Sequence, residues 1–148
     1  MPDHSPSPRR VLLQAFEANL RLITVAAGHR TDIGGEVTLE PGQLDPDQVD
    51  DGLTVFIQRQ ERATEAAVAR THRLTTVALI VKRKAYAEAE SRLDDVLDDI
   101  EDVLSGRATA WPKGYSAPVF MSMEPLRAPA GADWIGAHLI YTSNIPIR

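Results

Sequence analysis

Residues Ile23 to Val37 read ITVAAGHRTDIGGEV. An apolar, helix-compatible run reaches Gly28, and the turn Asp32-Ile33-Gly34-Gly35 then launches an extended segment. Glycine commonly supplies the left-handed conformation that follows the last helical residue, so the stretch predicts a helix-to-strand junction and a fold that mixes the two. Upstream of it, Leu12, Phe16, Leu20, Ile23 and Ala27 recur every three to four positions, which gives a helix from Arg9 to about Ala27 one apolar face. Prolines at positions 2, 6 and 8 make residues 1–8 a flexible leader that cannot be helical, with residues 9–148 as one domain.

Downstream, Glu36 to Leu39 is a short strand candidate, and Pro41 to Gly52 (PGQLDPDQVDDG) reads as a solvated, mobile loop. Leu53 to Gln60 sets Leu53, Val55 and Ile57 on one face of a strand, and Leu74 to Arg83 is rich in Thr, Val and Ile. Glu61 to Thr71 between them is too long for a tight hairpin turn. Ala87 to Ser105 carries an apolar stripe of Leu93, Val96, Leu97, Ile100, Val103 and Leu104 and predicts a second helix, stopped by Gly106. Val119 to Glu124 and Asp133 to Ile145 complete the order, the latter with Ile135, Ala137, Leu139 and Tyr141 on one face and His138 on the other. The sequence α-β-β-β-α-β-β implies a single α+β domain, an antiparallel or mixed five-stranded sheet with both helices on one face.

Composition narrows the function classes. A chain of 148 residues, 43% hydrophobic and 25% charged, suits one domain. It has no cysteine, which excludes disulfides and thiolate metal sites and suits a reducing cytoplasm. A net charge of −5 gives no global attraction to nucleic acid or anionic lipid. The longest apolar run, Val77 to Val81, is far short of the roughly 20 residues of a spanning helix. The signs are segregated along the chain: Arg59, Arg62, Arg70, Arg73, Lys82, Arg83 and Lys84 precede Asp94, Asp95, Asp98, Asp99, Glu101 and Asp102. Such a dipolar chain suits contact with another copy of itself.

Reactive chemistry finds little support. His4, His29, His72 and His138 form no HxxxH or HxH pair, and there is no GxSxG elbow, GxGxxG or phosphate loop. No catalytic, metal or cofactor site is expected. Asp94-Asp95-Val96-Leu97-Asp98-Asp99 resembles the DDxxD element of isoprenoid synthases, but the chain is too short for that all-helical fold and has no second acidic motif. A solvated helix face with Leu93, Val96, Leu97 and Ile100 turned inward accounts for it. Like charges at i and i+4 oppose a helix by a few tenths of a kcal/mol per pair. A neighbouring subunit's basic strand, or a divalent cation at an interface, would compensate them. Lys82 and Lys84 share a strand face opposite Arg83, and no interleaved aromatics accompany them, so a solvated strand end fits better than nucleic-acid recognition.

RRVLLQAFEANLRLITVAAG, then HRTDIGGEV, an acidic proline-rich loop, two strands and the helix SRLDDVLDDIEDVL together resemble the tail terminator family of long-tailed bacteriophages, the group similar to the minor tail protein U of phage lambda. Gly28, Thr31, Asp32 and Gly34 and the helix register carry the match, over about residues 9–147. The resemblance implies a structural virion protein with no catalysis. It would form a homohexameric ring at the tail-neck junction, cap the head-proximal end of the tail tube, stop its polymerisation and dock a neck or stopper protein, with DNA passing through the channel. Assembly would take place in the host cytoplasm. Arg59, Arg62, Arg70, Arg73, Lys82, Lys84, Asp94, Asp95, Asp98 and Asp99 are the candidate subunit or ring interface, and Gly28, Asp32, Gly34 and Gly35 the structural turn. Two alternatives stand beside this reading: a neck or stopper head-tail joining protein, and a small cytoplasmic enzyme or ligand-binding domain using His29, Asp32, His72 and Tyr141.

Overall fold

The computed structural model describes residues 4–40, 51–85, 88–105, 111–127 and 133–147. Helix α1 (Pro8–Leu20) is capped by the Ser7 hydroxyl, which accepts from the Arg10 N–H. Pro8 belongs to the helix rather than to a non-helical leader, because the first helical position needs no N–H and suits proline's fixed φ. The helix also ends seven residues earlier than its apolar periodicity suggests. Arg21 is its C-cap, and Val25–Ala27 form a separate 3-10 turn whose left-handed cap is Gly28, φ 98°. Gly28 thus closes the turn after the helix, not the helix itself.

A second 3-10 turn, Ile33–Glu36, leads into β1 (Val37–Thr38), as the glycine pair implies. β2 (Asp51–Arg62) and β3 (His72–Lys84) form a long antiparallel ribbon. Asp51 and Gly52, read from sequence as loop, open β2 because they pair with Arg83 and Lys82 across the ribbon. The rest of that loop, 41–50, together with Ala87 and Gly106, lies outside the described residues. Helix α2 (Ala89–Leu104) is followed by β4 (Val119–Arg127) and β5 (Trp134–Pro146).

The strands form one mixed sheet in the order β1-β2-β3-β5-β4, with β1 parallel to β2 and every other pairing antiparallel. β5 returns to the middle of the sheet beside β3 and leaves β4 at the edge. Register aligns one apolar face across three strands: Leu53 with Val81 and Ala137, Val55 with Leu79 and Leu139, Ile57 with Val77 and Tyr141. α1 lays Leu12, Phe16 and Leu20 on that face, and α2 lays Leu93, Val96, Ile100, Val103 and Leu104 there, all in one core. Phe16 is fully buried and meets Trp111 and Tyr141 edge-on, with centroids 5.1 and 6.4 Å away. Each fully buried side chain of this size contributes about 1.5–3 kcal/mol of transfer free energy. The fold is the expected α+β domain in the expected element order. Among the described residues no helix is long and apolar enough to cross a membrane.

Candidate functional site

The junction after α1 is held by side chains of its own turns and by one from the distant helix α2. Thr24 Oγ1 accepts from the Ala27 N–H at 3.2 Å, and Asp32 Oδ1 from the Val25 N–H at 2.8 Å, which closes the first turn. Gly34 donates its N–H to the Ile23 carbonyl at 3.0 Å and lies close beneath the end of α1. The next link comes from α2. Asp99, only 4% exposed, accepts from the Arg30 N–H (3.0 Å), the Thr31 N–H (2.8 Å) and the Thr31 hydroxyl (2.7 Å). A carboxylate that loses its water but gains three donors can remain buried.

Around that anchor the acidic helix face meets polar partners inside the protomer, the Arg30 guanidinium among them. Arg30 reaches Asp95 Oδ1 at 3.3 Å and Asp98 Oδ2 at 3.5 Å, and His29 Nδ1 lies 3.8 Å from both Asp99 and Asp102. Asp99 is therefore not part of a solvated face: position 99 falls beside Val96, Ile100 and Val103 on the buried stripe. Asp94 remains exposed. Gly28, His29, Arg30, Asp98, Asp99, Glu101, Asp102 and Ser105 line a solvent-open groove of about 510 Å³. Among the described residues no group of three or more His, Asp or Glu side chains is placed to hold a metal ion.

The basic residues divide into two groups. Arg59, Arg62, Arg70 and Arg73 gather where β2 and β3 meet, Arg62 paired with Arg73 in register. Arg59 contacts Glu61 at 3.1 Å, Arg62 and Arg70 are exposed, and Arg73 donates to the carbonyls of Ala69 and His72. At the other end of the ribbon Arg83 forms a two-pronged pair with Asp51 (2.8 and 3.2 Å) and donates to the Arg92 carbonyl in the first turn of α2. Lys82 sits over the Trp134 ring, 4.8 Å from its centroid, and Lys84 pairs with Trp134 in register. Eleven rungs of ribbon separate Arg83 from Arg62, on the order of 35 Å at the usual rise per residue. The first turn of α2, beside Arg83, thus lies at the end of the ribbon away from the hairpin arginines.

The residues of the enzyme alternative are scattered. His29 and Asp32 lie in the α1–β1 junction, and His72 bonds Thr71 and the Gly114 carbonyl at the far end of β3. Tyr141 is buried under Phe16, where burial first and the Glu101 carboxylate second push its phenol above the usual value. Two features escaped the sequence reading. Arg30 and Thr31 as partners of α2 depend on a contact almost 70 residues away in sequence, signalled only by the position of Asp99 on the apolar stripe. The second is a bare apolar strip on β4, where Val119, Phe120, Met121 and Met123 are all exposed, which depends on that strand lying at the sheet edge.

No protein-family model matches the chain, and no curated protein matches it in sequence. Its fold is similar to that of a chain solved in the virion of a native gene transfer agent particle, with a TM-score of 0.61. The two are 19% identical, and the match covers 96% of this chain and 99% of that one.

Proposed function

We propose that this chain is a structural virion protein: a ring-forming tail terminator that caps the head-proximal end of a phage-type tail tube, stops its growth and offers the surface on which the neck docks. The observation that carries the reading is the end-to-end likeness in fold to a chain of a virion particle, with nearly the whole of both chains aligned. The distribution of charge and apolar surface supports it. A basic hairpin end, an acidic helix and an exposed apolar edge strand are three unlike surfaces on one small domain, as a head-to-tail ring contacting a layer above and a layer below requires. Partners on this reading are other copies of the chain, a tube protein and a neck protein. Interface roles for Arg59, Arg62, Arg70, Arg73, Lys82, Lys84, Asp94, Asp95 and Asp98 belong to the same proposal, while Asp99 is engaged by the junction inside the protomer.

Electron microscopy of negatively stained lysates in which the gene is inactivated tests it. Headless tails of uncontrolled length are the expected result. Tails of normal length overturn the terminator role: detached heads beside them indicate a neck joint, and intact particles an unrelated function.

A further inference from the structure

Both edges of the sheet are partly open, and the open parts match. On one side, β4 exposes Val119 (59%), Phe120 (45%), Met121 (56%) and Met123 (39%). An apolar edge strand left bare recruits another strand, and proteins that avoid this place charges or proline on the edge. Here Glu124 and Pro125 occupy only the second half of β4. On the other side, β1 covers β2 at Leu53 and Thr54, Val55 just beyond is fully buried, and among the described residues no strand pairs with the outer side of β2 from Phe56 to Arg62.

The register puts these two open stretches at the same height. Val119 lies opposite Thr142, Thr142 opposite Thr76, and Thr76 opposite Arg59. Met123 lies opposite Leu139, then Leu79, then Val55. Glu124 falls level with Thr54, where β1 already occupies the edge. β2 and β4 run in opposite directions, three antiparallel steps apart. A rotation that carries one copy to the next along the sheet therefore brings β4 against the neighbour's β2 as an antiparallel pair, the geometry of a two-strand ladder. Phe120, which shares the helix-side face with Tyr141, then meets the neighbour's half-buried Ile57.

From this match we infer that the contact between copies is a strand ladder joining residues 119–122 of β4 to residues 56–59 of β2 in the next copy, closing head to tail into a ring. Ring closure rests on the function proposed above; the pairing of the two edges does not. The occupant is a second copy because the same chain supplies both halves of the joint, matched in height, direction and apolar face.

The absence of cysteine makes a clean test available. In the purified full chain, Val119→Cys combined with Arg59→Cys under mild oxidation should give a ladder of covalent oligomers, whereas neither single variant cross-links. As a second measurement, Met121→Lys with Met123→Lys should weaken association by about tenfold or more and leave the circular dichroism spectrum unchanged. A covalent dimer from Val119→Cys alone would mean β4 against β4 and overturn the proposal, as would a protein that stays monomeric and uncross-linked at high concentration. The two ideas fail separately: uncontrolled tails without the ladder sink only the strand pairing, and the ladder with normal tails sinks only the terminator.

Discussion

Asp99 is the residue on which the acidic helix and the α1–β1 junction most depend. It is buried, and its three hydrogen bonds all come from Arg30 and Thr31. Asp99→Ala leaves those donors unpaired and should cost about 2–3 kcal/mol in urea unfolding, the usual range for bonds to a charged group. Asp98→Ala, on an exposed ion pair with Arg30, should change stability by less than about 0.5 kcal/mol. A cost at position 98 equal to that at 99 would show that the ion pairs, not the buried bonds, hold the loop. Tyr141 behaves differently. Among the described residues its buried hydroxyl has no hydrogen-bond partner, and desolvation raises its pKa in the folded chain. A phenol harder to ionise when folded leaves stability intact below the unfolded pKa of about 10 and takes it away as pH rises beyond that value. Tyr141→Phe should therefore gain about 1 kcal/mol near neutrality by removing an unpaired group, and unfold less steeply between pH 9 and 11.

At the scale of elements, the junction turns on glycines with different duties. A Cβ at Gly34 would stand 2.6–2.8 Å from the carbonyl oxygens of Ile23, Leu20 and Arg21, all backbone atoms that cannot swing aside. At Gly28 a Cβ meets nothing within 4 Å, but φ is +98°. Gly35 has open space and no positive φ. Alanine should thus cost more than about 2 kcal/mol at position 34, about 1 at 28 and under about 0.5 at 35, measured as shifts in the denaturation midpoint. An equal cost at all three would mean that the turn is limited by chain flexibility rather than by close approach. The same junction shows what was legible in the sequence. Periodicity placed both α-helices and the long strands, because alternation and 3.6-residue spacing follow from burial of one face. It overran α1 because Ile23 continues the apolar pattern after the chain has turned. The true stop is set by Thr24, Asp32 and Gly34, whose partners are fixed only once the turn is folded. The exposed β4 strip was not legible at all, since its exposure depends on β5 entering the sheet between β3 and β4.

For the whole molecule, the separation of charge is the property that no single element carries. α2 holds Asp94, Asp95, Asp98, Asp99, Glu101 and Asp102, the last two in its final turn, where the helix dipole disfavours anions. Arg30 answers part of this charge, and the hairpin arginines lie at the far end of the ribbon. Copies that pair edge to edge at equal height set like ends side by side, basic hairpin by basic hairpin, so charge opposes the apolar contact on β4 and the two contributions respond differently to salt. Charge repulsion between exposed groups is screened over about 10 Å at 0.1 M salt and about 3 Å at 1 M, while burial of Phe120 is not weakened by sodium chloride. Association measured by sedimentation should therefore strengthen severalfold from 0.1 to 1 M sodium chloride. Arg59→Gln with Arg62→Gln should raise the low-salt affinity and flatten the salt dependence. Affinity that ignores salt in the unaltered chain would mean that the charged ends lie away from the contact between copies, so that they serve the rings above and below.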